Sequence, residues 1–384
     1  MTPSHEIAVV GAGPVGLAVA LGLARRGRRV VVLERESDTA EHSRAPAIWP
    51  RTQEVLEDLG VVERFLAEGI QLPRLVLHDV DRGAPLLRLP LEELRDRTRH
   101  PRLLVLPQSR TEQLLLAALR DQPTAEVRFS TEVIGLSQQE SAVELDLAAA
   151  DRVARLRARF VVGCDGAHSF VREAIGADLE GRTFPQRVAL ADLRLDDTAG
   201  DPTAPRLTTQ PRLAIAIRIA ERLWRLILPR LSEPGVGLEQ RIEEAALRLL
   251  GGRPWQPVWR SEFSLHDRIS TVFHDRRVVL AGDAAHLNSP VGGQGMNAGI
   301  QDAAQLLDPL CVALDRDVVE PLAAFARQRR RQVRRSVNRF TTLATRLLLG
   351  SRGRLVRPSL QLVDAAIRIP PIRRRLLARV AMLA

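Results

Sequence analysis

Lysine and tyrosine are both missing from this chain of 384 residues. All 56 basic side chains other than histidine are therefore arginine. Without lysine, the chain can form no Schiff base with a substrate and can use no catalytic lysine. Aromatic residues are also scarce, at 3% of the sequence.

Cysteine is almost absent as well, since only Cys164 and Cys311 occur. They lie far apart in the sequence and form no disulfide framework, redox pair or metal-binding cluster. The sequence contains no run of 18 apolar residues, and no signal-peptide pattern precedes its first apolar run. We therefore expect a soluble, cytoplasmic protein without a metal site.

The net charge of +10 is concentrated late in the chain, in arginine-rich runs at residues 327–335 and 373–375. A basic balance attracts polyanionic cofactors. Aromatic residues are sparse near these runs and no nucleic-acid-binding motif occurs, which favours a solvated helix face over a nucleic-acid site. Weak contact of the C-terminal helices with an anionic membrane surface stays open.

A glycine-rich turn stands near the N-terminus between two apolar runs, residues 7–10 and 30–33, with a helix-like stretch after it. Its glycines are Gly11, Gly13 and Gly16. This pattern predicts a strand, a tight turn, a helix whose N-terminus faces a pyrophosphate, and a second strand. Glu34 ends the second strand, where a carboxylate accepts hydrogen bonds from an adenosine ribose.

A second glycine-rich segment runs from Gly282 to Asn297, directly after the strand-like residues 277–280. It places the Asp283 carboxylate at a strand end. A Gly/Pro loop and a helix from about Met296 follow. The segment thus predicts a second helix N-terminus that faces a charged ligand.

The two segments, with Asp165-Gly166 between them, resemble in order and spacing the FAD-dependent aromatic hydroxylases typified by para-hydroxybenzoate hydroxylase. The resemblance covers about residues 5 to 340 and is specific for FAD, though not for the substrate. It implies that Asp283 holds ribityl or ribose hydroxyls and that the loop from Pro290 to Asn297 lies along the flavin ring. Backbone N–H groups at the start of the following helix would then stabilise negative charge on the reduced flavin.

The resemblance also implies further contacts with the cofactors. Arg44 and Gln108 match positions around the phosphates and ribityl chain, Arg35 is expected against the adenine, and Asp165 with Arg172 matches a segment that interacts with FAD and NAD(P)H. The cofactor-binding residues predicted in all are Gly11, Gly13, Gly16, Glu34, Arg35, Arg44, Gln108, Asp165, Asp283, Pro290, Gly293, Gly295, Met296 and Asn297.

The activity that the resemblance implies is an NAD(P)H-consuming monooxygenase with non-covalently bound FAD. NADPH or NADH would bind transiently, and O2 would react to a flavin C4a-hydroperoxide that hydroxylates an aromatic or polyketide-like small molecule. Several relatives use tyrosines to help deprotonate phenols, so here another group must do this. His286 belongs to the flavin motif and is not assigned a catalytic role, and we name no general base.

Three alternatives stay open. A flavin reductase or dehydrogenase of the same fold would act on a carbon–carbon bond without oxygen transfer. Epoxidation and Baeyer–Villiger insertion also occur in the wider group. A binding protein could keep FAD as a structural or sensing element while the arginine-rich C-terminus engages a partner. Halogenase chemistry is excluded, because its lysine and its WxWxIP segment are both absent.

The fold expected is α/β: a discontinuous Rossmann-type FAD-binding domain, a sheet-based substrate domain and C-terminal helices. The predicted ranges are 1–72, 102–176 and 275–330 for FAD binding, 73–101 and 177–274 for the substrate, and 331–384 for the C-terminal helical segment. Helix breaks are expected at Pro309, Pro321, Pro358 and Pro370-Pro371. Candidates for lining a substrate pocket between the middle sheet and the flavin are Trp224, Arg212, Arg218, Trp49, His78 and His266.

Overall fold

The computed structural model describes residues 5–40, 45–149, 152–196, 204–230, 236–349 and 355–383. Its strands are β1 His5–Val10, β2 Val30–Leu33, β3 Ala47–Ile48, β4 Ile70–Leu72, β5 Arg74–Asp79, β6 Ala84–Pro90, β7 Leu103–Val105, β8 Ala125–Arg128, β9 Thr131–Gln138, β10 Val143–Ala149, β11 Arg152–Gly163, β12 Leu179–Leu195, β13 Arg206–Thr208, β14 Ala214–Ala220, β15 Leu223–Arg230, β16 Trp255–Ser270, β17 His274–Asp275, β18 Val278–Leu280 and β19 His286–Leu287. Its α-helices are α1 Pro14–Ala24, α2 Pro50–Asp58, α3 Val62–Glu68, α4 Gln108–Arg120, α5 Phe170–Ala174, α6 Leu238–Leu250, α7 Gly295–Arg316, α8 Glu320–Gln332, α9 Asn338–Leu349, α10 Val356–Ile367 and α11 Pro370–Val380. Gly282–Ala284 forms a 3-10 turn and Val333–Val337 a π-helical turn.

The first sheet has the strand order β17-β18-β11-β1-β2-β8, and β9 and β10 extend from β11. Parallel pairing joins β1 to β2 and β11, β2 to β8, and β11 to β18. The central strands are apolar throughout because helices cover both faces of a parallel sheet. Since β10 pairs antiparallel with both β9 and β11, an antiparallel flap extends from the parallel sheet.

A second sheet has the order β19-β16-β12-β15-β14-β13-β5-β6. Side chains of a strand alternate between the two faces. On one face, residues such as Ala191 and Leu226 pack against α6, and we call this the helix face. On the other, Leu190 and Ile227 belong to a cluster that also includes Val291 of the second glycine-rich segment. We call this the cleft face, because it faces that segment.

The C-terminal helix α10 is fixed to the second sheet by ion pairs at both of its ends. Arg357 donates to both carboxylate oxygens of Asp79, at 2.7 and 3.0 Å, and also contacts Asp81. Asp364 accepts a hydrogen bond from the backbone N–H of Arg88 at 2.9 Å. Through these contacts α10 covers part of the cleft face. No helix in the described ranges is long and apolar enough to span a bilayer.

One predicted helix break is wrong. Pro321 and Pro370 stand at the beginning of α8 and α11, and Pro358 lies in the first turn of α10, but Pro309 lies inside α7. An internal proline removes one backbone hydrogen bond. Here α7 stays continuous because the leucines on either side of the proline are buried against the rest of the core.

Candidate functional site

The first glycine-rich turn connects β1 to α1 and can be built only with glycine at two positions. Gly11 has φ +104°, and a Cβ there would lie 2.5 Å from the Cys164 carbonyl oxygen. A Cβ on Gly16 would lie 2.0 Å from the carbonyl oxygen of Gly11, so any side chain there would push α1 away from the turn. Close packing of the turn therefore explains both residues.

Gly13 differs from these two because a Cβ there would meet nothing within 4 Å. It is the N-cap residue of α1, and the first turn of this helix has neither a side-chain cap nor an acidic residue. The N–H groups at the start of α1 therefore face open space with the positive end of the helix dipole. This arrangement fits a pyrophosphate.

Glu34 follows β2 and reaches back to this turn. Its carboxylate accepts hydrogen bonds from the backbone N–H of Ala12 at 2.7 Å and of Glu36 at 3.0 Å. The carboxylate therefore lies at the start of α1, as the ribose-binding prediction requires. Arg35 is exposed and pairs with Glu36. Arg44 lies outside the described residues.

Gln108 begins α4 and donates to Glu112 at 2.9 Å. The second oxygen of Glu112 accepts from the backbone N–H of Ala40 at 3.0 Å. Burial raises the pKa of Glu112, and the nearby Glu34 carboxylate raises it further. Glu112 thus fixes both Gln108 and the backbone at Ala40. Glu112 could not be found from the sequence, because a single glutamate on an amphipathic helix gives no signal of its own.

In this structure, Asp165 and Arg172 form hydrogen bonds with other parts of the protein. Asp165 accepts hydrogen bonds from the Ser169 hydroxyl at 2.5 Å and the Val171 N–H at 3.0 Å, at the start of α5. Burial raises the pKa of the Asp165 carboxyl. Arg172 is buried and donates to the carbonyl oxygens of Ala167 at 3.1 Å and Ala284 at 3.3 Å. These contacts connect the Asp-Gly loop to the Gly282–Ala284 turn. Contact of Asp165 with a cofactor stays a prediction.

The loop before α7 takes its shape from Asn297 and Trp49. Asn297 is fully buried, accepts from the Trp49 N–H at 2.8 Å and donates to the carbonyls of Ala47 at 2.8 Å and Gly293 at 2.7 Å. The Trp49 indole donates to the Gly292 carbonyl at 2.9 Å. The side chain of Asn297 is therefore occupied within the protein, and only its backbone N–H is left for a ligand.

Open space and free N–H groups occur at the start of α7 as well. The first turn of this helix has no side-chain cap and no acidic residue, and a Cβ on Gly295 would meet nothing within 4 Å. The helix begins at Gly295, next to Met296 and after the loop that contains Pro290. Pro290 is exposed to solvent. Asp283 is also exposed, in the 3-10 turn ahead of the loop. Both helix starts therefore offer N–H groups to negatively charged parts of one ligand.

The two glycine-rich segments, far apart in the chain, meet at Val15 of α1. A Cβ on Gly282 would lie 2.9 Å from the Val15 side chain, and a Cβ on Gly299 would lie 2.5 Å from it. Val15 thus packs on the backbone of both the 3-10 turn and α7. The uncapped starts of α1 and α7 consequently belong to one site.

A buried ion cluster lies beneath this site. Asp302 accepts a hydrogen bond from His286 Nε2 at 2.7 Å and from the Gly282 N–H at 2.8 Å, and it pairs with the guanidinium of Arg329. The positive charges of Arg329 and His286 hold the pKa of Asp302 at about 2 despite its burial. The Asp302 carboxylate in turn raises the pKa of His286 against the opposing effect of burial.

The cluster corrects one prediction and adds one residue. Arg329 belongs to the basic run expected on a solvated helix face, yet it is only 4% exposed because Asp302 and the Ala298 carbonyl bind it. Asp302 itself was missed. It follows His286 by 16 positions. A separation of this length gives no local sequence signal. Asp302 reaches its place below the loop because α7 carries it there.

Most of the side chains expected to line a substrate pocket point to the helix face instead. Trp224 packs in the cluster against α6, and Arg212 donates to Glu244 of α6 at 2.6 Å. Arg218 alternates with Ile217 and donates to the carbonyls of the β14–β15 hairpin. These three predictions were wrong, because a strand pattern with apolar residues on both faces does not reveal which face lies toward the cofactor.

The two histidine candidates are also misplaced. Leu77 and Asp79 face α10 on the cleft face, so His78 between them points away from it. His266 follows the buried cleft residue Leu265 and contacts the Thr183 hydroxyl at 3.0 Å. Burial and the neighbouring Arg268 lower the pKa of His266. Trp49 alone among the six candidates lies beside the loop before α7.

Comparisons with known proteins agree with this geometry. A family model described as "FAD binding domain" matches residues 4–228 and 234–341. Para-nitrophenol 4-monooxygenase of Pseudomonas sp. (strain WBC-3) is 30% identical over 315 residues, which cover 80% of this chain and 78% of the relative. Rifampicin monooxygenase of Streptomyces venezuelae is 35% identical over 324 residues, which cover 81% of this chain and 64% of the relative.

A solved structure gives the same result for the fold. The crystal structure of p-nitrophenol 4-monooxygenase from Pseudomonas putida DLL-E4 superimposes with a TM-score of 0.89 at 26% identity, and the match covers 99% of both chains. Anhydrotetracycline hydroxylase from Streptomyces rimosus superimposes with a TM-score of 0.81 at 27% identity, covering 99% of this chain and 76% of the other.

Proposed function

The chain belongs to the FAD binding domain family and is an FAD-dependent monooxygenase, and we propose that it hydroxylates a small aromatic or polyketide-like substrate with O2. The relatives support this substrate class by their names, which refer to nitrophenol, pentachlorophenol, rifampicin and tetracycline intermediates. NADPH or NADH supplies the electrons in this proposal. Neither the relatives' names nor the described helices support a membrane contact.

We assign the cofactor to the groups that meet at Val15. The start of α1 binds the pyrophosphate, Glu34 binds the adenosine ribose, and Asp283 binds hydroxyls of the ribityl chain. Gln108, held by Glu112, contributes at the phosphates. The N–H groups at the start of α7, held in place through Asn297, stabilise negative charge on the ring system.

The protein around the flavin ring positions the substrate and excludes water. When bound, FAD supplies the redox chemistry that activates O2 with electrons from NAD(P)H. The cleft face of the second sheet positions the substrate, and α10 covers part of this face and excludes water from it. We divide the chain accordingly: residues 1–72, 102–176 and 275–330 hold FAD, residues 73–101 and 177–274 bind the substrate, and the C-terminal helices close the cleft.

The observation that carries this proposal is the meeting of two uncapped helix starts at Val15 beneath an apolar sheet face. To test it, the purified protein is mixed with NADPH or NADH and with phenols, naphthols and polyketide quinols, while O2 uptake is recorded. Uptake that a substrate stimulates, with a product one oxygen atom heavier, is the expected result. Oxidation of NAD(P)H that reduces a carbon–carbon double bond of the substrate, without O2 uptake, would contradict hydroxylation.

The cytoplasm is our proposed location, since the two cysteines are unpaired and Cys164 is packed beside the first turn. A protein of an oxidising compartment usually carries disulfides.

A further inference from the structure

A buried ion pair lies on the cleft face of the second sheet and was not singled out in the sequence. Arg225 of β15 donates from Nε and Nη2 to the two carboxylate oxygens of Asp192 of β12, each at 2.7 Å. Arg225 is 1% exposed and Asp192 is 5% exposed. The two residues are register partners in neighbouring strands, so the pairing is fixed by the sheet.

Strand alternation assigns this pair to the cleft face. Asp192 shares its face with Leu190, and Arg225 shares its face with Ile227, and both apolar residues belong to the cluster that includes Val291. Trp259 of the same cluster lies beside the guanidinium, with its ring centroid 5.6 Å from Arg225 Cζ. The pair therefore lies on the cleft face, which faces the second glycine-rich segment, whereas Arg212 and Arg218 lie on the helix face.

The third guanidinium nitrogen of Arg225 lacks a partner. Nη1 is buried and has no hydrogen-bond acceptor among the described residues. A buried donor of a charged group is costly to leave unpaired, so native proteins almost always satisfy it. Since the bidentate contact with Asp192 already fixes the guanidinium, Nη1 is held ready for an acceptor that arrives with a ligand.

We propose that Nη1 of Arg225 binds an oxygen acceptor of the aromatic substrate, with a phenolate oxygen as the preferred partner. This inference rests on the proposed function and specifies the substrate class further. Asp192 is the positioning residue: it neutralises the buried pair and orients the guanidinium. Trp259 covers one side of the same group.

The assignment also resolves a difficulty raised by the composition. The chain has no tyrosine that could assist deprotonation of a phenol. A substrate that enters as the phenolate leaves its proton in the solvent, and the cationic donor then stabilises the bound anion. No general base of the protein is required, and the electron-rich ring is the form that accepts an oxygen atom.

The test compares binding of 4-nitrophenol, at a pH where it is ionised, with binding of 4-nitroanisole, which has no ionisable oxygen. Equilibrium dialysis of the FAD-loaded protein gives both affinities. The variants are Arg225→Gln combined with Asp192→Asn, which removes both charges of the pair, and Arg225→Lys, which keeps the charge but loses Nη1. The matched control is Arg212→Gln combined with Glu244→Gln, an ion pair on the helix face of the same sheet.

We expect the Arg225 variants to lose about tenfold to hundredfold in affinity for 4-nitrophenol, the range for one hydrogen bond to a charged group. Their affinity for 4-nitroanisole should stay within threefold or so of the unmodified protein, as should both affinities of the control. Equal 4-nitrophenol affinities in all four proteins, or binding by none, would overturn the assignment.

The same preparations separate this inference from the proposed function. Bound FAD is quantified in each protein, and O2 uptake with NADPH or NADH is measured with the substrate panel. A wild-type protein that turns over a phenol while the Arg225 variants keep their 4-nitrophenol affinity would refute the role of Arg225 alone. A wild-type protein that turns over nothing would refute the hydroxylase.

Discussion

Replacing Asp302 with Asn should destabilise the protein by about 3–5 kcal/mol, because the buried Arg329 would lose its carboxylate partner. The variant also weakens the bonds to His286 Nε2 at 2.7 Å and to the Gly282 N–H at 2.8 Å. For a chain of 384 residues, 1 kcal/mol corresponds to about 1.2 °C in Tm. We therefore expect the Tm of the variant to fall by about 4–6 °C.

The matched control is Asp308→Asn on the same helix. Asp308 also pairs with an arginine, Arg26, at 3.2 Å, but its side chain is 84% exposed. Exposed pairs contribute between zero and about 1 kcal/mol, so its Tm should change by about 1 °C or less. The FAD content should fall in Asp302→Asn and stay unchanged in Asp308→Asn, because Asp302 holds Gly282 beneath the proposed cofactor site.

The acid limb of the stability profile gives an independent value. A carboxyl whose pKa lies at about 2 in the folded protein, against 3.8 ordinarily, stabilises the fold above pH 3.8. That contribution, about 2 kcal/mol, is lost as the pH falls from about 4 to about 2. The wild type should lose more stability over this interval than Asp302→Asn. Equal Tm losses in Asp302→Asn and Asp308→Asn would refute the reasoning.

Four further variants test other parts of the structure. Gly13→Ala should keep the wild-type Tm and lose FAD affinity, whereas Gly16→Ala should lower the Tm, because only the second Cβ collides with the backbone; thermal melting and bound flavin distinguish them. His286→Asn should remove a stabilisation that the wild type has below pH 6.5 and loses as the pH rises through the raised pKa of His286, measured as Tm against pH. Arg357→Gln should lower the Tm by about 2–5 °C, because the buried Asp79 would lose its guanidinium partner.

Each of these four predictions would be contradicted by one specific result. Unchanged flavin binding in Gly13→Ala would contradict pyrophosphate contact at α1. A wild-type Tm for Gly16→Ala would contradict the close turn. Parallel pH profiles for wild type and His286→Asn would show that His286 is not charged in the fold. For Arg357→Gln, a stable protein with α10 still protected from proteolysis would show that the ion pair does not hold α10.

Local patterns were sufficient to predict the Rossmann-type half of the fold. The run from Gly11 to Gly16 and the apolar strand before Glu34 are compatible with few other folds. A side chain at Gly11 or Gly16 would collide with the backbone, whereas the space beside Gly13 is open for a phosphate. Helix α6, Leu238–Leu250, carries a local signal of the same kind. Its apolar positions follow the helical period on one side only, which is the strongest signal of a surface helix.

The pocket could not be predicted in the same way. Trp224 and Arg225 are neighbours in β15 and point to opposite faces. If the assumed alternation along the strand is shifted by one residue, the two side chains exchange faces. Helices cover both faces of this sheet, so polarity does not show which face lies toward the cofactor. The pairing of Asp192 with Arg225, and of His286 with Asp302, depends on contacts between distant segments that no local pattern encodes.

The most direct test of the hydroxylase is a turnover experiment with isotopically labelled O2. The FAD-loaded protein, NADPH or NADH and a phenol that stimulates O2 uptake are incubated, and the product is analysed by mass spectrometry. We expect one labelled oxygen atom in the product for each NAD(P)H consumed. Oxidation of NAD(P)H with an unlabelled product would contradict it.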